Sequence, residues 1–296
     1  MELNACGLIL SLLAVFLGIG LGFLSPFIQK LTPDTLGVKK LLKKDKSNKP
    51  KFDKQYFLWL GLGSVLFIYL FIFRFMNDFK NVTLEFITQN YSSLSNISKG
   101  MLLDFCPMCA FLICVLMIAD YKRIVISYVA YIGYFGGLIT LFGGISFVGS
   151  EDTVNAAWDA QWIFKGYNPN PMYYMMHAIL VIVCPVVALN ARIRKTFWWE
   201  ALYTAAFATV YYLYVFMIAS IFHVQRNVSG VLAGDWDVEF GEYGGVSYVL
   251  NLTYPWVAIV SLIIATTFIF WMVVLNFFLN KLVERKRFKI SKTFNL

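Results

Sequence analysis

Residues 101–119 read MLLDFCPMCAFLICVLMIA, and this stretch decides the fold. It is apolar over nearly the length that a helix needs to cross a bilayer, about 20 residues. Within it, residues 104–109 place a carboxylate, two thiols and a proline together. Ionisable and helix-breaking residues are costly at membrane depth and are typical of functional sites in membrane helices. The stretch therefore predicts a membrane helix with a specialised end.

The rest of the chain has the same membrane character. Of its 296 residues, 59% are hydrophobic and 14% are charged, whereas soluble domains carry about 25% charged residues. Apolar runs long enough to span a bilayer lie at residues 6–28, 56–76, 101–119, 124–148, 172–189, 197–222 and 252–278. We predict an all-α, polytopic membrane protein with about seven transmembrane helices.

The charge of the segments between these runs alternates along the chain. Segments with net positive charge lie at residues 29–55, 120–123, 190–196 and 279–296, whereas those at 77–100, 149–171 and 223–248 are neutral or acidic. By the positive-inside rule, the amino terminus lies outside and the carboxyl terminus is cytoplasmic. The net charge of +8 is thus a topology signal. The sequence has no basic face interleaved with aromatic residues, so we expect no nucleic-acid partner.

This pattern divides the chain into three parts. Residues 1–55 are an additional first transmembrane helix followed by a lysine-rich cytoplasmic linker, residues 56–280 are a six-helix membrane core, and residues 281–296 are a basic cytoplasmic tail. We place the protein in the cell membrane as a multi-pass protein. Its Phe-, Lys- and Asn-rich composition indicates a bacterial plasma membrane, and the oligomeric state is left open.

Arg74 lies at the outer end of its run, where its side chain can reach water. Two other ionisable side chains, Asp104 and His177, lie inside the runs and away from their cytoplasmic ends. Both runs enter from the outer face, so Cys106 and His177 lie about five residues, roughly 7–8 Å, below the outer boundary. A thiol and an imidazole at one depth are the nucleophile and base of a thioester-forming dyad, whose histidine Asp104 would orient or make more basic. The alternative is a small buried cysteine and a histidine that is hydrogen-bonded across helices.

Pro107 predicts where the third helix starts. Proline fits the first turn of a helix, and the residue before it is disfavoured in helical conformation. The continuous helix is therefore predicted to begin at Pro107, after an irregular segment at residues 104–106. Cys106 would then meet the positive end of the helix dipole, which favours its thiolate. The N–H groups of Met108 and Cys109 would hold a developing oxyanion.

Other chemistries compete with this dyad. Cys106 and Cys109 form a C-x-x-C pair, which is typical of thiol–disulfide oxidoreductases, but the outer segments contain no second cysteine pair. The sequence has no ligand set with the spacing of a metal site, and we expect neither a metal nor another cofactor. A non-enzymatic transporter or scaffold stays open, although the Gly136-Gly137 pair indicates close helix packing rather than a gate. Glu200, which follows two tryptophans, is interpreted as interfacial.

Four stretches resemble the YwaF-like integral membrane family: MLLDFCPMCAFLICVLMI from residue 101, YFGGLITLFGGISF from residue 134, MYYMMHAILVIVCPVVALN from residue 172 and LNLTYPWVAIV from residue 250. That family is related to the eukaryotic transmembrane acyltransferases that remodel ether phospholipids with a cysteine and a histidine. The resemblance spans residues 56–280 and implies that Cys106 stands at the cysteine position and His177 at the histidine position. Asp104 stands where the family has a histidine, two residues before the cysteine.

The expected function is acyl transfer inside the membrane, at a cavity open to the outer leaflet. Cys106 would take a fatty acyl group from a phospholipid as a thioester, and His177 would carry the proton. The expected partners are membrane phospholipids and an acceptor, which is a lysolipid or a lipoprotein amine. Residues expected to contact the substrate lie beside Cys106 or at the outer ends of the runs at 172–189 and 197–222: Met108, Cys109, Tyr173, Tyr174, His223 and Arg226. The last two would bind a head-group phosphate.

Overall fold

The computed structural model describes residues 5–31, 54–88, 99–120, 123–143, 169–191, 196–222 and 255–293. The helices in these ranges are α1 (Ala5–Leu31), α2 (Lys54–Leu70), α3 (Met76–Thr88), α4 (Phe105–Ala119), α5 (Ile126–Gly143), α6 (Pro169–Asn190), α7 (Phe197–Phe222) and α8 (Trp256–Thr293). A π-helical turn, Phe71–Phe75, joins α2 to α3. These ranges contain no strand. The all-α prediction is confirmed for this part of the chain.

Membrane-spanning length distinguishes two groups of helices. Four carry stretches that are long and apolar enough to cross a membrane: Leu8–Ser25, Tyr56–Phe75, Phe197–Phe222 and Leu262–Leu282. The apolar stretches of α4, α5 and α6 are shorter: Phe105–Ala119, Ile126–Phe142 and Met175–Asn190. The described residues therefore form a membrane protein with four helices of full spanning length. Most described residues of the three remaining apolar runs are helical as well.

Helices α4, α5 and α6 form the centre of the bundle. Helix α5 packs against α1, α4, α6, α7 and α8, and α2 packs on α4. Buried side chains of α4, α5 and α6 supply most of the core. The long helices expose large apolar side chains, among them Phe16, Val65, Val210 and Trp271. An extended apolar surface of this kind marks contact with lipid or with another apolar partner.

Small residues let these helices approach closely. On α5, a Cβ atom at Gly133 would lie 3.1 Å from the Cβ of Cys109 in α4 and 3.2 Å from the Sγ of Cys184 in α6. On α1, Gly18 and Gly22 face the backbone of α6 in the same way. The three glycines thus sit at the contacts that hold the centre of the bundle together.

Helix α1 is part of the bundle, although the lysine-rich linker separates it from the other helices in sequence. It packs along α6. There the Asn190 side-chain amide donates hydrogen bonds to the Ser25 hydroxyl, at 2.6 Å, and to the Val186 carbonyl, at 2.7 Å. A buried amide bonded to both helices fixes their relative position, because a shift would leave it unpaired.

Candidate functional site

The helix that carries Cys106 begins inside the apolar run of residues 101–119. Its first helical residue is Phe105, and Asp104 is the N-cap, with φ −72° and ψ 137°. The prediction that the helix begins at Pro107 is therefore wrong. Proline costs nothing at the third helical position, because an N–H there has no partner within the helix. The bias against a helical residue before proline is a preference, and Cys106 is helical here despite it.

The earlier start changes which N–H groups are left outside the helical ladder. The Met108 N–H donates to the Asp104 carbonyl at 3.1 Å, and Cys109 lies one residue further into the ladder. The prediction that these two N–H groups hold an oxyanion is therefore wrong. The N–H groups outside the ladder at this end belong to Phe105 and Cys106, because the next residue is proline.

Two tyrosines of α7 hold the irregular segment that precedes α4. The Tyr214 hydroxyl donates to the Met101 carbonyl and the Tyr211 hydroxyl to the Leu103 carbonyl, both at 2.5 Å. Leu102, between these carbonyls, has a left-handed φ of 53°, which costs a non-glycine residue about 1–2 kcal/mol. Irregular backbone persists at membrane depth only where the surrounding protein satisfies it. The sequence analysis missed both tyrosines, although their spacing of three places them on one face of α7.

Adjacent glycines of α5 meet the Cys106 and His177 segments at one level. A Cβ atom at Gly136 would lie 3.1 Å from the Cys106 Sγ, and one at Gly137 would lie 3.3 Å from the His177 carbonyl oxygen. Cys106 is 8% exposed and His177 2% exposed, so the bundle encloses both. The Cys106 thiol is also hydrogen-bonded to the Thr140 hydroxyl, at 3.5 Å. The sequence analysis did not single out this threonine, because it lies on another helix.

Three further residues of the predicted site lie close to Cys106 in sequence. Asp104 is half-buried at the N-cap of α4, and its role toward the histidine stays a prediction. Met108 is half-buried and packs against two clusters of buried apolar side chains. The Cβ of Cys109 faces Gly133 of α5, next to the thiol of Cys184. Cys109 therefore takes part in helix packing.

Four predicted substrate contacts lie where the structure gives little or no description. Tyr173 and Tyr174 lie near the start of α6, where only the helical backbone is described. His223 and Arg226 lie outside the described residues. The roles of these four residues toward a substrate stay predictions.

The described cysteines are separate thiols. Cys106, Cys109, Cys114 and Cys184 form no disulfide. Within the ranges that the structure describes, no group of three or more His, Cys, Asp or Glu side chains could hold a metal ion. The chemistry available at Cys106 is therefore that of a thiol in the first turn of a helix, hydrogen-bonded to a hydroxyl.

A second buried polar group lies further along the bundle. Glu200, in the first turn of α7, is fully buried, while Trp198 and Trp199 beside it are exposed. The bundle therefore encloses Glu200, and its position at the membrane interface stays a prediction. The carboxyl lies close enough to Tyr131 of α5 to interact electrostatically, and the Tyr131 hydroxyl accepts a hydrogen bond from the Asn276 amide of α8 at 2.7 Å. The local sequence gave no sign of this group, because its members come from three helices.

Comparison with known proteins gives the family. The chain belongs to a family of unknown function, DUF5378, whose model matches residues 33–295. It is 33% identical over 214 residues to a Mycoplasma genitalium protein named "Uncharacterized protein MG135", covering 69% of this chain and 71% of the relative. It is 27% identical over 223 residues to the MG135 homolog of Mycoplasma pneumoniae, covering 68% of this chain and 71% of the relative. No solved structure matches the chain.

Proposed function

We propose that this member of the DUF5378 family is an intramembrane acyltransferase with Cys106 as its nucleophile. The observation that carries the proposal is the position of this thiol. It lies in the first turn of a helix that starts within an apolar run, at the same level of α5 as the His177 segment. The positive end of the helix dipole would stabilise the thiolate once a base has taken its proton.

In the first half-reaction, His177 takes the proton of the Cys106 thiol, and the sulfur attacks the carbonyl carbon of a phospholipid acyl ester. The N–H groups of Phe105 and Cys106, outside the helical ladder, would bind the oxyanion that forms. The ester C–O bond then breaks and the acyl group stays on sulfur as a thioester. The lysolipid oxygen leaves with the proton that His177 carried.

In the second half-reaction, an acceptor takes the acyl group. The hydroxyl of a lysolipid or the amino terminus of a lipoprotein attacks the thioester carbonyl, and His177 takes the acceptor's proton. The C–S bond breaks, and the proton returns to the sulfur of Cys106. One ester becomes another ester or an amide, so no oxidant, reductant or cofactor is consumed. Asp104 would orient His177, and Thr140 would position the thiol.

The proposal places this thiol in the outer leaflet of the membrane. Gly133 of α5 contacts Cys109 of α4, and Gly136 contacts Cys106. Residue numbers thus rise along α5 as they fall along α4, so the two helices are antiparallel. Alternating directions are what seven crossings require, and the charges of the connecting segments give the orientation, with the amino terminus outside. Relatives from Mycoplasma support a bacterial plasma membrane as the location.

The test is an acyl-transfer assay in vesicles. Purified protein would be reconstituted with a phospholipid that has deuterated acyl chains and with an unlabelled lysophospholipid or a lipopeptide with a free amino terminus. Mass spectrometry would detect deuterated acyl groups on the acceptor. We expect transfer by the wild type and by Cys109→Ser, and a loss of about 100-fold or more in Cys106→Ser and His177→Ala. Undiminished transfer by Cys106→Ser would overturn the proposal.

Thiol–disulfide exchange is the second candidate, because Cys109 and Cys184 come close together beside Gly133. A Cβ atom at Gly133 would lie 3.1 Å from the Cys109 Cβ and 3.2 Å from the Cys184 Sγ. That chemistry would make Cys109→Ser as damaging as any other cysteine variant, and oxidation would lower the protein's mass by about two daltons per disulfide. A transporter or scaffold would instead tolerate Cys106→Ser and His177→Ala. The Cys109→Ser variant therefore separates acyl transfer from redox chemistry.

A further inference from the structure

Helix α6, which carries His177, contains a proline about two turns further along. Pro185 has no N–H, so the Val181 carbonyl, four residues earlier, lacks the hydrogen bond that the helical ladder would otherwise give it. Helices kink at such positions. Val181 lies one turn after His177, so the proline affects the part of α6 that holds the proposed base.

Gly18 of α1 lies directly on this carbonyl. A Cβ atom at Gly18 would collide with the Val181 oxygen and lie 3.0 Å from the Cα of Ile182. In glycine a hydrogen takes the place of that Cβ atom, so this hydrogen lies against the oxygen. Contacts between a Cα–H and a carbonyl oxygen recur at helix–helix interfaces. Helix α1 thus supplies a contact at the carbonyl from which Pro185 removes the usual donor.

The neighbouring stretch of α6 is in contact with two helices. A Cβ atom at Gly22 of α1 would lie 3.2 Å from the carbonyl carbon and from the Cβ of Pro185. A Cβ atom at Gly137 of α5 would lie 3.3 Å from the His177 carbonyl oxygen and 3.2 Å from the Cγ2 of Val181. Both of these α6 side chains are buried. Contacts with α1 and α5 therefore fix the course of α6 where its own hydrogen-bond ladder is incomplete.

We propose that Gly18 is a positioning residue for His177, and this inference rests on the proposed role of His177 as the base. Because Gly18 has no side chain, α1 can reach the Val181 carbonyl and hold α6 at its proline. A shift of α6 there would carry His177, one turn away, with it. Proton transfer between the imidazole and Cys106 requires hydrogen-bond distance, so a displacement of about 1 Å is costly. Gly18 therefore acts on the chemistry through α6.

The test observes the His177 imidazole directly. The chain has two histidines, His177 and His223, so full-length protein labelled with ¹⁵N-histidine gives two sets of ring signals by NMR in detergent. The set that is lost in His177→Ala belongs to His177. We expect Gly18→Ala to shift this set. Gly20→Ala is the matched control, because a Cβ atom there would meet nothing within 4 Å, and it should leave the set in place.

This measurement distinguishes positioning from a purely structural role. A contact that only stabilises the bundle would lower the melting temperature of Gly18→Ala without moving the imidazole in the folded protein. Unshifted His177 signals in folded Gly18→Ala would therefore overturn the proposal.

A second variant keeps the proposal testable if Gly18→Ala fails to fold. Pro185→Ala restores an N–H that can donate to the Val181 carbonyl, so the ladder closes and α6 can straighten. We expect the His177 signals to shift in this variant too. Unshifted signals would mean that the proline and its contact with α1 do not set the position of the imidazole.

The vesicle assay separates this inference from the enzyme proposal. Gly18→Ala is expected to lower kcat about tenfold and to leave KM unchanged, because a misplaced base slows the chemical step. A change in KM alone would overturn the positioning role. Absence of acyl transfer by the wild type would refute the proposed function, whereas the His177 signals would still show whether α1 sets the position of the imidazole.

Discussion

The Cys106 thiol lies against α5 because α5 has no side chain at that point. A Cβ atom at Gly136 would come within 2.9 Å of the Phe105 ring and 3.1 Å of the thiol. Any residue larger than glycine would therefore displace the Phe105 ring and the Cys106 thiol. The position of the proposed nucleophile depends on a residue that has no chemistry of its own.

Gly136→Ala is expected to lower acyl transfer at least tenfold, because small displacements of a reacting group are costly. Gly61→Ala, on α2, is the matched control, since a Cβ atom there would meet nothing within 4 Å. We expect this control to keep full activity and to gain up to about 1 kcal/mol of stability from helix propensity. The vesicle assay and thermal unfolding would measure both effects. Equal activity in the two variants would contradict the importance of this contact.

Tyr211→Phe tests how the segment before α4 is held. The change removes the hydroxyl that donates to the buried Leu103 carbonyl, and loss of that bond should lower the free energy of unfolding by about 1–3 kcal/mol. Tyr212→Phe, at the half-buried neighbour, is the control and should have little effect. Chemical unfolding in detergent would compare them. If both variants unfold alike, α7 does not support this segment through its hydroxyls.

Single residues also show which features of the site could be predicted from the sequence and which could not. Asp104, Cys106 and His177 stand out because polar residues are rare in apolar runs, and the structure places the last two segments beside adjacent glycines of α5. The burial of Glu200 could not be read from its exposed neighbours Trp198 and Trp199, since each step along a helix turns the side chain by about 100°. Its contact with Tyr131 of α5 is non-local and leaves no pattern in the sequence.

At the scale of helices, α1 and α6 depend on close backbone approach. A Cβ atom at Gly18 would collide with the Val181 carbonyl and lie 3.0 Å from the Cα of Ile182. These are backbone atoms, so they cannot move aside without displacing α6. Gly20, on the same helix, has nothing within 4 Å of the corresponding position.

Gly18→Ala is therefore expected to lower the free energy of unfolding by about 1–3 kcal/mol through overpacking. Gly20→Ala should be neutral or stabilise by up to about 1 kcal/mol, because alanine favours the helix. Thermal unfolding of the two purified variants in the same detergent would measure the difference. Matching melting curves would show that α1 does not pack on α6 as described.

The helices themselves were largely predictable, but their lengths were not. Hydropathy marks only the part of a helix that lies within the bilayer. Two of the predicted runs therefore end at residues 76 and 278. The structure continues these helices to Thr88 and Thr293, because polar residues also form helices outside the apolar region. The π-helical turn, Phe71–Phe75, leaves no mark in hydropathy. The earlier start of α4 shows that the preference against a helical residue before proline can be overridden.

At the scale of the whole molecule, the central position of α4, α5 and α6 could not be read from the sequence. All seven apolar runs look alike in hydropathy, since lipid and the bundle interior are both apolar. The distinction comes from contacts between distant segments, such as Gly133 with Cys109 and Cys184. Glycines in α5 were a visible sign of close packing, but not of which helices would meet there.

The proposed topology makes a prediction for the two ends of the chain. Seven crossings place them on opposite sides, and the basic segments place the carboxyl terminus in the cytoplasm. A fluorescent reporter that folds only in the cytoplasm should therefore be bright at the carboxyl terminus and dark at the amino terminus. A periplasmic-type enzyme reporter in a bacterial host should give the opposite result. Both ends on the same side would mean an even number of crossings.

The most direct measurement is to locate the acyl group on the enzyme. Protein incubated with deuterated phospholipid, without an acceptor, would be digested, and peptides would be sequenced by mass spectrometry before and after hydroxylamine. The expected result is a hydroxylamine-sensitive acyl group on Cys106, present in Cys109→Ser and absent from Cys106→Ser and His177→Ala. A wild-type protein without any acyl adduct, or with the adduct on another cysteine, would contradict acyl transfer through Cys106.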